Sequence, residues 1–74
     1  MKVTIIYGEV TVTFKNGSEQ SWEDVNLDTI RIEGNTLVFE SLERGVDTGH
    51  YLEWITVKIF TRNILFLESV KDKD

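Results

Sequence analysis

The sequence contains no cysteine and no proline, and only one histidine and one methionine. Without cysteine it can form neither a disulfide framework nor a thiolate metal site. Stability must then come from packing or from a partner subunit, because a chain of 74 residues is one small domain. Such domains bury only about 60 % of the surface their unfolded chains expose. A single histidine means that any metal site or nucleophile–base pair would have to combine His50 with carboxylates or hydroxyls. Gly-x-Ser-x-Gly, His-Glu-x-x-His and phosphate-loop patterns are also missing. The residues therefore point away from an enzyme and imply no cofactor and no metal.

Basic residues are scarce. Eight Lys plus Arg face 13 Asp plus Glu, for a net charge of −5. That balance argues against nucleic acid as the main partner, since affinity for a phosphate backbone comes from neutralising it. It mildly favours a basic partner surface. No apolar run approaches the roughly 20 residues of a membrane span. The start, Met1-Lys2-Val3-Thr4, lacks the apolar core and small-residue cleavage site of a signal peptide. The expected location is cytoplasmic, with no membrane partner.

What the chain does contain is alternation. Thr, Val, Ile and aromatic residues alternate along most of it, and no stretch has a helical period. This predicts an all-β fold, a small antiparallel meander of six or seven strands curled into a barrel or roll. Residues 1–70 form the single β domain and 71–74 a charged, disordered tail.

The first expected strand is Lys2–Tyr7, and Gly8-Glu9 suits a type II′ turn that pairs Tyr7 with Val10. Val10–Phe14 follows. Lys15-Asn16-Gly17 then forms a three-residue loop with Gly17 left-handed in a bulge. That loop pairs Phe14 with Ser18 and Val10 with Trp22, which places the Trp22 indole in the core. Ser18–Trp22 is a short polar strand suited to a sheet edge. The stretch 23–28 reads as an acidic connector in which Val25 and Leu27 plug an open end of the core. Asp24, Asn26 and Asp28 alternate as a calcium loop begins, but the glycine and glutamate such a loop needs are replaced by Thr29 and Asn35.

Thr29–Glu33 and Thr36–Ser41 form the next hairpin, across a type I′ turn at Gly34-Asn35 that pairs Ile32 with Leu37 and Ile30 with Phe39. Leu42–Gly49, with its two glycines, is the longest loop. Tyr51–Phe60 and Ile64–Leu67 are the most apolar segments and should pair as a C-terminal hairpin around Arg62. Ile64–Leu67 is apolar on both faces, as strands covered on both sides are. The expected core is Val3, Ile5, Val10, Val12, Phe14, Trp22, Ile30, Ile32, Leu37, Phe39, Ile55, Val57, Ile59 and Leu67.

If Ile55, Val57 and Ile59 face inward, then Leu52, Trp54 and Phe60 face outward together. With Lys58 and Arg62 beside them they form the candidate surface for a protein partner or for self-association. Aromatic residues of this type dominate interface hot spots.

Two resemblances accompany this reading. The pattern Val12-x-Phe14-x-x-Gly17, then Trp22, then Ile30-x-Ile32-x-Gly34-x-x-Leu37, ending in Asn63-Ile64-Leu65-Phe66-Leu67-Glu68, resembles small all-β proteins of Gram-positive bacteria and their phages. It implies a cytoplasmic accessory protein, some of which act as inhibitors by binding host complexes. Val12–Gly17 with Val25-Asn26-Leu27-Asp28 also resembles the Sm-like RNA-binding barrels, without their N-terminal helix or later Arg-Gly signature. This second resemblance bears on the fold, as Sm-like or SH3-like geometry. The function expected is a non-enzymatic protein-binding module, of the kind phages or mobile elements encode. A structural homo-oligomer subunit is the alternative, and a nucleic-acid-binding barrel comes third.

Overall fold

A computed structural model describes residues 7–44 and 52–71. They are all-β. Strands β1 (Tyr7–Phe14), β2 (Glu19–Glu33), β3 (Thr36–Arg44), β4 (Leu52–Phe60) and β5 (Ile64–Lys71) form one antiparallel sheet in the order β4-β3-β2-β1-β5. A three-residue 3-10 turn, Thr61–Asn63, joins β4 to β5. No helix among the described residues is long and apolar enough to cross a membrane.

The first hairpin follows the expected register. Phe14 N–H donates to Ser18 O at 2.8 Å, Gly17 N–H donates to Phe14 O at 2.9 Å, and Val10 lies opposite Trp22. Gly17 has φ +92°, the left-handed value the bulge requires. The Asn16 side chain adds to the loop by accepting from the Ser18 amide at 2.9 Å and from its hydroxyl at 2.7 Å.

The expected turn at Gly8-Glu9 does not form. β1 runs straight through both residues, and Tyr7 pairs with Asn26 on β2. Gly8 is there for space. A Cβ on it would strike the carbonyl oxygen of Val70 and sit 2.6 Å from Leu27 Cδ1. A glycine inside a strand often marks such a close approach. The strand expected over Lys2–Tyr7, with Val3 and Ile5, lies outside the described residues except for Tyr7.

The acidic stretch 23–28 is not a connector. It lies within the 15-residue β2, which merges the two separate strands expected at Ser18–Trp22 and Thr29–Glu33. Two irregularities hide it in the sequence. Gly8 lies opposite Val25 and Val10 opposite Trp22, so one extra residue bulges at Glu23-Asp24. Trp22 and Val25 can then both face inward, at 8 % and 0 % exposure. Further on, Asn26 lies opposite Glu40 but Arg31 opposite Val38, so Leu27–Ile30 swing out against Phe39 alone. Thr29 closes this wide bulge. Its hydroxyl donates to Asn26 O at 2.6 Å and accepts from the Glu40 amide at 2.9 Å, where the ladder would otherwise lapse.

The β2–β3 turn has the expected register, with Ile32 opposite Leu37 and Glu33 opposite Thr36. Its type differs. Gly34 has φ +64°, but among the described residues only glycines have positive φ. Asn35 therefore stays in the normal region, which is the II′ pattern and not I′.

The bulges let the sheet curl. A straight β2 would reach about 50 Å at roughly 3.3 Å per residue, yet the longest extent of the molecule is 37 Å. Thr61 N–H donates to Asn35 O in the β2–β3 turn, and Lys15 N–H in the β1–β2 turn donates to Asn63 O, both at 2.9 Å. One three-residue link thus holds the turns at both ends of β2. β4 and β5 run in the same direction within the sheet, a relation that ordinarily needs a crossover of a dozen residues or more. Curling brings the end of β4 to the start of β5 and removes that need.

The expected C-terminal hairpin is therefore absent. β4 pairs with β3 and β5 with β1, and among the described residues they form the two edges of a sheet that does not close. The described residues form five strands, where six or seven were expected of the chain. The core is Val10, Val12, Trp22, Val25, Leu37 and Phe39, with Phe14, Leu27, Ile30, Val57, Ile59 and Ile64 packed partly against it. Each fully buried side chain of this size contributes about 1.5–3 kcal/mol. Trp22 meets Phe39 edge-on, ring centroids 5.2 Å apart. Two expected core members are exposed, Ile32 by its place beside the turn and Leu67 because β5 is an edge. Val25, expected to plug an end of the core, is fully buried within it, and Val38 is buried although it was not among the expected core members. Val38 lies on the outer face between Arg31 and Lys58, whose aliphatic stems can cover it.

Candidate partner surface

β4 alternates as its sequence requires. Ile55, Val57 and Ile59 are half-buried toward the core, while Leu52, Trp54, Thr56, Lys58 and Phe60 are exposed on the other face. Leu52 is 60 %, Trp54 40 % and Phe60 50 % exposed. The five residues singled out from the sequence are thus displayed by one strand and the turn that follows it. They form two groups, Trp54 and Phe60 being about 20 Å apart along the strand.

Leu52 and Trp54 occupy one end. Tyr7 joins them, its ring stacked on Trp54 with centroids 6.0 Å apart and planes 17° apart. Lys58, Phe60 and Arg62 occupy the other end. The Arg62 guanidinium carbon lies 5.2 Å from the centre of the Phe60 ring, a contact worth about 0.5–1 kcal/mol at an exposed site. Thr36, Lys58 and Phe60 line a shallow depression of about 120 Å³. A wider one of about 430 Å³ lies round the corner between Phe14, Lys15, Asn16, Arg62 and Asn63.

Sequence reasoning missed two features here. A turn at Gly8 would pair Tyr7 with Val10, which conceals the contact of Tyr7 with Trp54. Apolar residues on both faces of β5 suggest a strand covered on both sides. β5 is instead an edge that exposes Leu65, Phe66, Leu67 and Val70. Only the three-residue spacing between the last two strands hinted that they meet end to end.

Other candidate groups are not assembled. Among the described residues no three His, Asp or Glu come together as metal ligands. In the Asp24–Asp28 stretch, the Asn26 side chain accepts from the Asp28 amide at 3.2 Å and serves the bend of β2. Trp22, one of the aromatics a nucleic acid could stack on, is buried. His50, Tyr51 and most of the loop expected at Leu42–Gly49 lie outside the described residues, β3 itself continuing to Arg44. The chain matches no protein-family model, no curated protein and no solved structure.

Proposed function

We propose that this protein is a non-enzymatic protein-binding module whose contact surface is the outer face of β4 and the following turn: Leu52, Trp54, Lys58, Phe60 and Arg62. The observation that carries this reading is the exposure of three large apolar side chains on one strand face, flanked by two cations. Exposed apolar groups gathered on a polar surface mark interaction sites. Trp and Arg are the residues most often found at binding hot spots. The convex, curled sheet is a rigid support for such a face, and we extend the reading to a barrel-like or roll-like body that hosts it. An accessory or inhibitor protein of a phage or mobile element, working in the cytoplasm, fits this role.

Affinity capture from the source cells tests the reading, with the native chain and Trp54→Ala compared side by side. A discrete protein partner should be retained by the native chain and lost with Trp54→Ala, for a weakening of roughly 30-fold at a hot spot. Identical captures, or none, would remove the surface from consideration.

A second reading is a homo-oligomer subunit. The edge strands of the described sheet, β4 and β5, favour it, because a strand edge is a template for another strand. Sedimentation across concentrations separates the readings, since a strict monomer at high concentration leaves only the first.

A further inference from the structure

The outer face of β5 differs in chemistry from that of β4. In the ladder, Phe66 lies opposite Thr13, Glu68 opposite Thr11, and Val70 opposite Glu9. One strand further in, Glu19 lies opposite Thr13 and Ser21 opposite Thr11, with Thr11 and Ser21 joined by a 2.9 Å hydroxyl bond. The bulge at Glu23-Asp24 lies alongside Glu9. The face therefore carries Glu9, Glu19, Glu23, Asp24 and Glu68, all exposed. The one ion pair among the described residues is Arg31–Glu33, elsewhere on β2. Lys15, Arg31, Lys58 and Arg62 are outside these rows, and Lys71 ends β5 opposite Gly8, on the other parity.

We propose that the outer edge of β5 accepts an extended segment of a partner protein as an added strand, with a basic residue set between apolar ones. Three independent features define that occupant. β5 has eight residues and, among the described residues, is paired by β1 on one side only, which leaves its other main-chain side as the edge of that sheet. Leu65, Phe66 and Val70 are 63 %, 56 % and 57 % exposed, so apolar side chains of a neighbour would gain burial beside them. Glu68 lies between Phe66 and Val70 with Glu9 diagonal to it, so a cation between two apolar residues is the best-matched facing pattern. Like charges directly opposite are destabilising in a sheet, and opposite charges contribute about 0.2–1 kcal/mol. This inference is independent of the β4 surface.

The probes are three labelled peptides followed by fluorescence anisotropy: acetyl-Val-Thr-Lys-Val-Val-amide, its Glu-centred counterpart, and the Lys-centred peptide with alternate amides N-methylated. The protein should bind the first. Binding should weaken roughly fivefold with the Glu peptide and be lost with the N-methylated one. Glu68→Lys should reverse the charge preference, and Leu52→Ser on β4 should leave all three results unchanged. Equal binding of Lys and Glu peptides, retention of the N-methylated peptide, or no binding of any would overturn the proposal. So would concentration-dependent dimerisation that Phe66→Lys abolishes, because the edge would then be taken by a second copy.

Discussion

Tyr7 on β1 stacks its ring on Trp54 of β4, although β2 and β3 lie between those strands in the sheet. In a flat sheet, strands three positions apart lie about 14 Å apart, beyond the 6.0 Å between these ring centroids. The two side chains must therefore lean toward each other across β2 and β3. The stack also fixes one end of the candidate surface. Trp22 is buried, so Trp54 is the tryptophan that reports on solvent. Tyr7→Ala should increase acrylamide quenching of the exposed tryptophan population while costing about 0.5–1.5 kcal/mol of stability. Unchanged quenching would show that the rings do not meet in solution.

Gly8→Ala should destabilise the fold by about 1–3 kcal/mol, the usual cost of forcing atoms into a packed site. Ordinarily alanine in place of glycine within a strand is neutral or stabilising. Here the added methyl would meet the Val70 carbonyl and the Leu27 side chain. A urea titration of the two proteins decides it. Equal midpoints would mean that β5 does not pass so close to β1.

Gly17→Ala should cost about 1–2 kcal/mol, since its φ of +92° is unfavourable for any residue with a Cβ. Nothing lies within 4 Å of the position a Cβ would take, so the cost is backbone strain alone. Asn16→Ala should cost less, about 0.5–1 kcal/mol, from its two exposed hydrogen bonds to Ser18. Thermal melts should preserve that order, and equal small losses would reject the bulged loop.

Thr29→Val keeps the shape of the bend but removes the hydroxyl between Asn26 O and the Glu40 amide. A partly buried amide left without its acceptor costs about 1–3 kcal/mol. The Glu40 amide should exchange with solvent faster in Thr29→Val and near the native rate in Thr29→Ser. Identical exchange in all three proteins would mean the bulge is closed some other way.

The legible and illegible parts of this chain separate along physical lines. Where a turn needs a special φ, the residue pattern announced it, as with Gly17. At Gly34 the position and register were readable, but the type was not, because Gly-Asn suits both I′ and II′ and only the φ of Asn35 decides. The inward and outward faces of β4 followed from strict alternation between Leu52 and Phe60. Alternation failed across 23–30, because two bulges shift the period there and make a continuous strand resemble a connector. Gly8 misled for a related reason. Glycine serves a turn and a close backbone approach equally well, and its true neighbour, Val70, is 62 residues away in sequence. Non-local pairing also misplaced the last two strands. Their apolar content suggested a hairpin, but each found its partner elsewhere, β4 on β3 and β5 on β1.

The placement of β4 and β5 as separate edges, each displaying apolar side chains, depends on one link holding both turns of β2 together. Because the chain lacks cysteine, Lys15→Cys and Asn35→Cys can be spin-labelled without background. The distance between the labels measures the bend of β2 directly. Main-chain bonds from Lys15 to Asn63 and from Thr61 to Asn35 place the two turns within about 15 Å of each other, given the roughly 2 Å rise per residue of a 3-10 turn. The expected label separation is about 15–25 Å once the label arms are included. A separation near 50 Å, the length of a straight β2, would contradict the curl and with it both exposed edges.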